Sequence, residues 1–235
     1  MTSLGLPATI RAGLFDLDGV ITQTAKVHAQ AWKQVFDEFL RTHNQPPFDP
    51  VQDYDLYVDG KPREDGVRSL LASRGITVPD EVVHDIAARK DQLFLDLIHA
   101  HGVQTYEGSV RYLRAAKQAG LKLAVVSSSR HTTEVLAVTP LQDFFDAQVD
   151  GIVAEREQLV GKPAPDTYLK AASILDARPG EAAVYEDALA GVQAGRAGGF
   201  GRVIGIDRAG QAEALYAHGA DVVVRDLADL LGESP

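Results

Sequence analysis

Short apolar runs, each followed by polar residues and then by a helical pattern, recur along the chain. The runs occupy residues 11–15, 121–126, 182–185, 202–206 and 221–224. Continuous apolar strands that alternate with helices are typical of a parallel sheet, because both faces of such a sheet are covered. The pattern therefore predicts an α/β fold with a Rossmann-like parallel sheet core and helices on both faces.

The stretch between the first two runs has a helical pattern instead. Apolar residues recur there at the spacing of an amphipathic helix, at Trp32, Val35, Phe36, Phe39 and Leu40. The segment 44–47, Asn-Gln-Pro-Pro, ends this pattern, and two more helical patterns cover about 63–73 and 80–99. We predict an inserted all-helical cap domain at 23–102 within an α/β core made of 1–22 and 103–235, with junctions near 22–24 and 102–106.

Composition and charge narrow the class of protein. The 235 residues are 45% apolar and 24% charged, which is ordinary for a globular protein, and they include no cysteine, which excludes disulfides and thiolate metal sites. No apolar run approaches the roughly 20 residues of a membrane helix, and we expect no signal peptide. The net charge is −10, and no run of Lys or Arg suits a nucleic acid. We expect a cytoplasmic monomer without nucleic-acid or membrane partners.

Polar residues follow three of the predicted strands. Asp16 and Asp18 follow the first, Ser127 the second, and Glu186 with Asp187 the third. Each could instead cap the next helix, which is the commoner role of such a residue. However, the carboxyl ends of parallel strands share one edge of the sheet, where ligands bind. Four carboxylates gathered there repel one another, and a divalent cation with oxygen ligands, best Mg²⁺, would relieve that repulsion.

A positive partner for a phosphate group is also available in the sequence. Lys162 lies between Gly161 and Pro163, and Pro165 stiffens the segment further. A lysine in a loop is more often solvated than functional. A fixed Lys162 is nevertheless compatible with this stiff segment.

These residues together resemble the motifs of the haloacid dehalogenase superfamily of aspartate-nucleophile phosphotransferases. The resemblance rests on the run 15–20, Phe-Asp-Leu-Asp-Gly-Val, and on Ser127, Lys162-Pro163 and Glu186-Asp187, which occur in the family's order. It implies that Asp16 attacks phosphorus and that Asp18 is the general acid and base. It further implies that Ser127 and Lys162 hold the transferred phosphoryl group. Mg²⁺ would be bound by Asp16, the backbone carbonyl of Asp18 and Asp187, with Glu186 at or next to the metal.

A narrower resemblance is to the β-phosphoglucomutase-like family. It covers the run 16–25, the segments 59–67 and 89–91, and Ser-Ser-Ser-Arg at 127–130. The chain departs from that family at Gln23, where Asp is usual, at Gly66, where Ser is common, and at His131, where Asn is frequent. These departures concern substrate fine-tuning more than chemistry. The resemblance implies a small phosphorylated sugar as ligand, bound by Thr24, His28, Trp32, Arg63, Lys90, Ser129, Arg130 and His131.

The helical periodicity bears directly on two of these residues. Lys90 falls on the apolar stripe of its helix, four residues after Ile86 and three before Leu93. Its stem could simply cover apolar surface with the charge in water, or the amine could reach the substrate. His28 lies four residues before Trp32, so a packed histidine and a catalytic one are both compatible with its position.

The resemblance favours interconversion of β-glucose 1-phosphate and glucose 6-phosphate through a bound bisphosphate. Such a mutase needs a second phosphate site, for which Arg63, Ser129, Arg130 and His131 are the candidates. The alternative is a Mg²⁺-dependent sugar-phosphate phosphatase, in which water accepts the phosphoryl group. A non-catalytic sugar-phosphate sensor is disfavoured, since Asp16 and Asp18 are both intact.

Overall fold

The core of the protein is a six-stranded parallel sheet. The computed structural model describes residues 2–141 and 144–233. The strand order is β4-β3-β2-β5-β6-β7, and a separate two-stranded antiparallel sheet joins β1 to β8. The bounds are β1 Thr2–Ser3, β2 Ala12–Phe15, β3 Lys122–Val126, β4 Ala147–Val149, β5 Ala182–Glu186, β6 Arg202–Ile206, β7 Val222–Val224 and β8 Gly232–Glu233. The predicted α/β class is confirmed.

Helices cover both faces of this sheet. Successive residues of the central strand β2 point to opposite faces, so that Leu14 and Phe15 belong to two different hydrophobic clusters. Tyr112 packs with Phe15 on one face, and Tyr168 packs with Leu14 on the other. The helices that follow the second linker are α4 Glu107–Gln118, α5 Thr132–Ala137, α6 Gly151–Arg156, α7 Asp166–Ile174, α8 Leu189–Ala197 and α9 Ala212–Ala217.

A helical segment lies between β2 and β3 and has its own hydrophobic cluster. It contains α1 Ala25–Thr42, a π-helical turn at Tyr54–Val58, α2 Arg63–Ser73 and α3 Asp80–His101. Trp32, Phe36, Leu70 and Ile86 are among the buried members of the cluster. The three predicted helices are present, with α3 two residues longer than the periodicity indicated. The division into domains at 23–102 stays a prediction.

Two linkers connect this helical segment to the sheet, and they run side by side. The Gln23 amide donates to the Gln104 carbonyl at 2.8 Å, and the Tyr106 amide donates to the Ile21 carbonyl at 2.9 Å. Thr22 and Thr105 form an antiparallel bridge between the same linkers. If the helices move relative to the sheet, the backbone of these two paired linkers has to change conformation.

One strand of the sheet was not predicted. β4 has the sequence Ala-Gln-Val and lies at the edge of the sheet, where Ala147 and Gln148 are only half-buried. Such a short, mixed segment lacks the continuous apolar run that indicates a central strand. Among the described helices, none is both long and apolar enough to cross a membrane.

Candidate active site

The register of the central strands brings the predicted site residues together. Phe15, the last residue of β2, is paired with Val125 of β3 and Tyr185 of β5. The residues that follow these strands therefore meet at one edge of the sheet. Asp16, Ser127, Glu186 and Asp187 are all buried there, as the sequence predicted.

Lys162 lies between two of these carboxylates. Its Nζ is 2.5 Å from Asp16 Oδ1 and 2.6 Å from Glu186 Oε1, and it donates to the Val126 carbonyl at 3.2 Å. Only 2% of Lys162 is exposed, so it is not the solvated loop lysine that was the alternative. Burial alone would lower the pKa of Lys162, but the carboxylates of Asp16 and Glu186 outweigh it and raise that pKa. Lys162 is therefore a fixed cation beside Asp16.

Three carboxylates form a candidate metal site. One oxygen from each of Asp16, Glu186 and Asp187 lies within 4.8 Å of the others. Glu186 is the most constrained of the three, because the Tyr168 hydroxyl donates to it at 2.7 Å and the Ala188 amide at 3.2 Å. Because Glu186 also accepts from Lys162, it has fewer free oxygen lone pairs for a metal than Asp16 and Asp187 have.

The electrostatics of this cluster fit a divalent cation. Burial raises the pKa of Asp16 well above its usual range; Lys162 opposes that shift, whereas Glu186 and Asp18 add to it. Burial likewise raises the pKa of Asp187, and the negative charges of Asp59 and Glu186 raise it further. The negative charge at Asp16 and Asp187 is thus incompletely balanced by protein groups, and hard oxygen donors without histidine are typical of Mg²⁺ sites.

Gly19 allows the loop after β2 to approach this cluster. A Cβ at Gly19 would lie 1.6 Å from Asp187 Oδ2, and φ is +79°, where side chains are strained. Only glycine fits both conditions. The tight turn after Asp18 therefore requires glycine at this position.

The side chain of Asp18 is held by residues outside the cluster of three carboxylates. Its Oδ1 accepts a short hydrogen bond from the Thr24 hydroxyl and lies 3.4 Å from His28 Nε2, and its Oδ2 is 3.5 Å from Ser127 Oγ. Burial raises the pKa of Asp18, but His28 and Thr24 outweigh it and lower that pKa to about 2. The carboxylate of Asp18 is therefore ionised and lies outside the metal cluster.

Lys90 reaches into the site from α3. Its Nζ is 2.7 Å from His28 Nδ1, and it lies over the rings of Trp32 and Phe94 at 5.4 and 4.8 Å. Only 5% of Lys90 is exposed, so the interpretation that its charge stays in water is wrong. Burial lowers the pKa of Lys90 to about 8. Because an ammonium can only donate, Nδ1 of His28 accepts, which leaves the Nε2–H to face Asp18.

The candidates for a second phosphate site lie farther out. Arg63, Ser129 and Arg130 line the same pocket as Asp16. Arg63 forms a short ion pair with Asp91. Its Nε is buried and has no hydrogen-bond partner among the described residues. Arg130 pairs with Glu155 at the surface.

His131 is adjacent to this group but is not among the residues that line the pocket. Its Nε2 lies 3.0 Å from Asp91 Oδ1, and its ring is 6.0 Å from that of Phe94. Burial raises the pKa of Asp91, but His131 and Arg63 outweigh it and lower that pKa. His131 is thus placed to hold the carboxylate that also holds Arg63.

Several pocket residues were missed by the sequence analysis. Tyr54, Asp59 and Lys61 line the pocket from the helical segment, and Ser128 lines it from the loop after β3. Tyr168, which holds Glu186, was also missed. The segment 59–67 was noted only for its resemblance to the family. The Asp59-Gly60 dipeptide was the available sequence signal of a turn, and Gly60 does have a positive φ of +70°.

Comparison with known proteins agrees with this geometry. The family described as haloacid dehalogenase-like hydrolase matches residues 10–199. The chain belongs to the haloacid dehalogenase-like hydrolase family. The region matched within this family includes all four motifs that form the site.

Within this family, the chain is similar to several individual proteins. The chain is 51% identical to the Beta-phosphoglucomutase of Mycobacterium tuberculosis (strain CDC 1551 / Oshkosh), over 97% of this chain and 94% of that protein. It is 34% identical to the Beta-phosphoglucomutase of Bacillus subtilis (strain 168), over 94% and 92%. The crystal structure of beta-phosphoglucomutase from Clostridium difficile matches 94% of this chain and 93% of that one with a TM-score of 0.77. Its 24% identity shows the fold alone.

Proposed function

We propose that the protein interconverts β-glucose 1-phosphate and glucose 6-phosphate through an enzyme-bound bisphosphate. The observation that carries this proposal is a single pocket that is lined both by Asp16, whose carboxylate contacts the fixed cation Lys162, and by a further arginine, Arg63. A bisphosphate needs a cationic partner for each of its two phosphate groups. The names of the two relatives described above support the same reaction.

The covalent step belongs to Asp16. Its carboxylate attacks the phosphorus, the bond to the sugar oxygen breaks, and an aspartyl-phosphate forms. Lys162 at 2.5 Å and the Ser127 hydroxyl hold the phosphoryl oxygens as charge redistributes. Transfer to the other sugar hydroxyl reverses these steps.

Asp18 moves the proton. It takes a proton from the sugar hydroxyl that attacks the phospho-enzyme, and it returns that proton to the sugar oxygen that departs when the bisphosphate passes its other phosphoryl group to Asp16. Because the Thr24 hydroxyl and His28 hold its side chain away from the metal cluster, the carboxylate remains free to accept that proton. Lys90 orients His28 through Nδ1 and adds positive charge close to the substrate.

Mg²⁺ completes the site in this proposal. Asp16, Asp187 and the backbone carbonyl of Asp18 would hold it, with Glu186 next to it. When bound, it supplies charge neutralisation for the phosphoryl oxygens. The raised pKa values of Asp16 and Asp187 support this assignment.

Residues 23–102 act as a cap in this proposal. The Ser128 hydroxyl donates to the Gly60 carbonyl at 2.9 Å, so the helical segment is seated on the core. Closure excludes water from Asp16 and thereby favours a sugar hydroxyl as acceptor. The paired linkers at 22–24 and 102–106 are the hinge. Cytoplasmic location and a monomeric state stay predictions.

The second phosphate site consists of Arg63, Ser129 and Arg130. The buried and unpartnered Nε of Arg63 supports this assignment, because a buried donor without an acceptor costs free energy that an anion would recover. His131 acts indirectly, by holding Asp91.

Phosphorus NMR of β-glucose 1-phosphate with Mg²⁺ and a trace of the bisphosphate tests the function. We expect glucose 6-phosphate as the main product from the wild type. Arg63→Ala should lower the ratio of glucose 6-phosphate to free phosphate, whereas Arg68→Ala on the exposed side of the same helix should not. A wild type that releases mainly free phosphate, with a ratio unchanged by Arg63→Ala, would identify a phosphatase instead.

A further inference from the structure

The segment that follows β6 contacts the loop after β2 and the loop after β5. Because β6 pairs with β5 in the parallel sheet, the residues that follow these two strands lie at the same edge. Arg208 Nε donates to the Gly19 carbonyl at 2.8 Å. Gln211 Nε2 donates to the Asp187 carbonyl at 3.2 Å. One short segment therefore holds both loops at once.

The two loops leave no spare room between them. A Cβ at Gly19 would lie 1.6 Å from Asp187 Oδ2, so no methyl group fits between the glycine and that carboxylate. Gly19 directly follows Asp18, whose carboxylate and backbone carbonyl both have roles in the proposed function. A small shift of Gly19 therefore changes where the Asp18 carbonyl lies relative to the Asp187 carboxylate.

The side chain of Arg208 is fixed by contacts with two other parts of the chain. Its Nη1 donates to the Arg225 carbonyl at 2.8 Å and lies 3.6 Å from Asp226 Oδ2. Its guanidinium carbon is 3.6 Å from the centroid of the Tyr106 ring, which belongs to the second linker. A planar guanidinium can donate two directed hydrogen bonds and stack on a ring at the same time, whereas an ammonium group cannot. Arg208 therefore reaches Gly19 as a fixed donor.

Gln211 is fixed through its backbone. Its amide donates to Asp207 Oδ1 at 2.7 Å, and its carbonyl accepts from the Leu215 amide at 3.0 Å where α9 begins. Neither Gln211 nor Arg208 is among the described residues that line the pocket. Any effect of these two side chains on the reaction therefore passes through the loops that they hold.

We propose that Arg208 and Gln211 are positioning residues, which set the spacing between the loop of Asp18 and the loop of Asp187. Arg208 holds the backbone next to Asp18, and Gln211 holds the backbone of Asp187 itself. Removing a bond of this kind behind a metal ligand changes metal affinity or activity by about 10- to 100-fold. The inference rests on the proposed function for the roles of Asp18 and Asp187, but it needs no contact with a sugar.

Two measurements without substrate test this arrangement. Mg²⁺ binding is measured by isothermal titration calorimetry, and hydrogen–deuterium exchange is followed in peptides that cover 16–24. We expect Arg208→Met to raise the dissociation constant for Mg²⁺ about tenfold or more. Exchange at 19–22 should become faster, because the loop has lost a bond that held it. Arg208→Lys should behave like Arg208→Met, since it keeps the charge but not the planar fork.

Kinetics separate positioning from substrate binding. At saturating Mg²⁺, kcat for glucose 6-phosphate formation should fall about 10- to 100-fold in Arg208→Met. The KM for the sugar phosphate should change by less than about twofold, because the lost contact does not reach the substrate. Gln211→Met should show a weaker form of the same pattern, and it keeps the test available if Arg208→Met unfolds.

Two control variants separate this role from charge and from general stability. Arg196→Met removes an exposed arginine that lies 3.8 Å from Asp221 and should match wild type in every measurement. Asp229→Ala removes a hydrogen bond of 3.1 Å to the Asp226 amide, so it weakens the turn beside Arg208 without touching either loop. It should lower the thermal midpoint and leave Mg²⁺ affinity and exchange at 19–22 unchanged.

Wild-type Mg²⁺ affinity and exchange in both Arg208→Met and Gln211→Met would overturn the inference. Full recovery in Arg208→Lys would also overturn it, because charge alone would then suffice, as would an equal loss of Mg²⁺ affinity in Asp229→Ala. If the wild type releases only free phosphate, the proposed function fails. The two measurements without substrate still decide the inference in that case, and kcat is then measured for phosphate release.

Discussion

Replacing Lys90 by methionine should make the protein more stable and less active. The pKa of Lys90 is about 8, against an ordinary 10.5, because burial disfavours the charged amine. Each pKa unit corresponds to about 1.4 kcal/mol, so the buried charge costs up to about 3 kcal/mol of unfolding free energy at pH 7. Methionine fills similar space beside Trp32 and Phe94 without that charge.

The pH dependence of this stability gain has a definite sign. Between about pH 8 and 10.5 the unfolded chain binds the lysine proton and the folded protein does not. The unfolding free energy of the wild type therefore rises with pH in this window relative to that of Lys90→Met. Urea unfolding of both proteins at pH 7 and pH 10.5 measures the difference, which should be largest at pH 7 and nearly vanish at pH 10.5.

Activity should change in the opposite direction. The amine of Lys90 touches His28 and lines the pocket, so its loss should lower kcat/KM for glucose 6-phosphate formation by about a hundredfold, or about 3 kcal/mol. Lys26→Met, an exposed lysine on α1, is the matched control and should change neither quantity. Unchanged kinetics in Lys90→Met would refute the reasoning and leave Lys90 as a residue that only packs.

Two further substitutions test the core of the site. Asp16→Asn should lower kcat by about 10⁴-fold or more with the fold intact by circular dichroism, because an amide cannot form the phospho-enzyme; substantial turnover would contradict an Asp16 nucleophile. Gly19→Ala should abolish activity and weaken Mg²⁺ binding measured by calorimetry, since its Cβ would displace Asp187. Gly210→Ala has a nearly equal φ of +78° with nothing within 4 Å, so it should show only the backbone strain; similar Mg²⁺ binding in both variants would argue against the clash.

Local sequence determined the sheet and the order of the site residues. The apolar runs predicted the central strands because a buried parallel strand needs apolar side chains on both faces. Asp16, Ser127 and Glu186 then had to meet, since the carboxyl ends of neighbouring parallel strands share an edge. The edge strand β4 was missed for the same reason, because a half-buried strand does not need a continuous apolar run.

Only the tertiary structure decided how the side chains are paired. The periodicity of α3 placed Lys90 on the apolar stripe, but the contact with His28 joins residues 62 positions apart. Likewise Lys162 meets Asp16 across 146 positions, and Asp91 turned out to hold Arg63. Helical and strand periodicity report only which face of an element is buried. Which charged groups share that buried face depends on how distant elements pack, and burial and charge then set the pKa of each group.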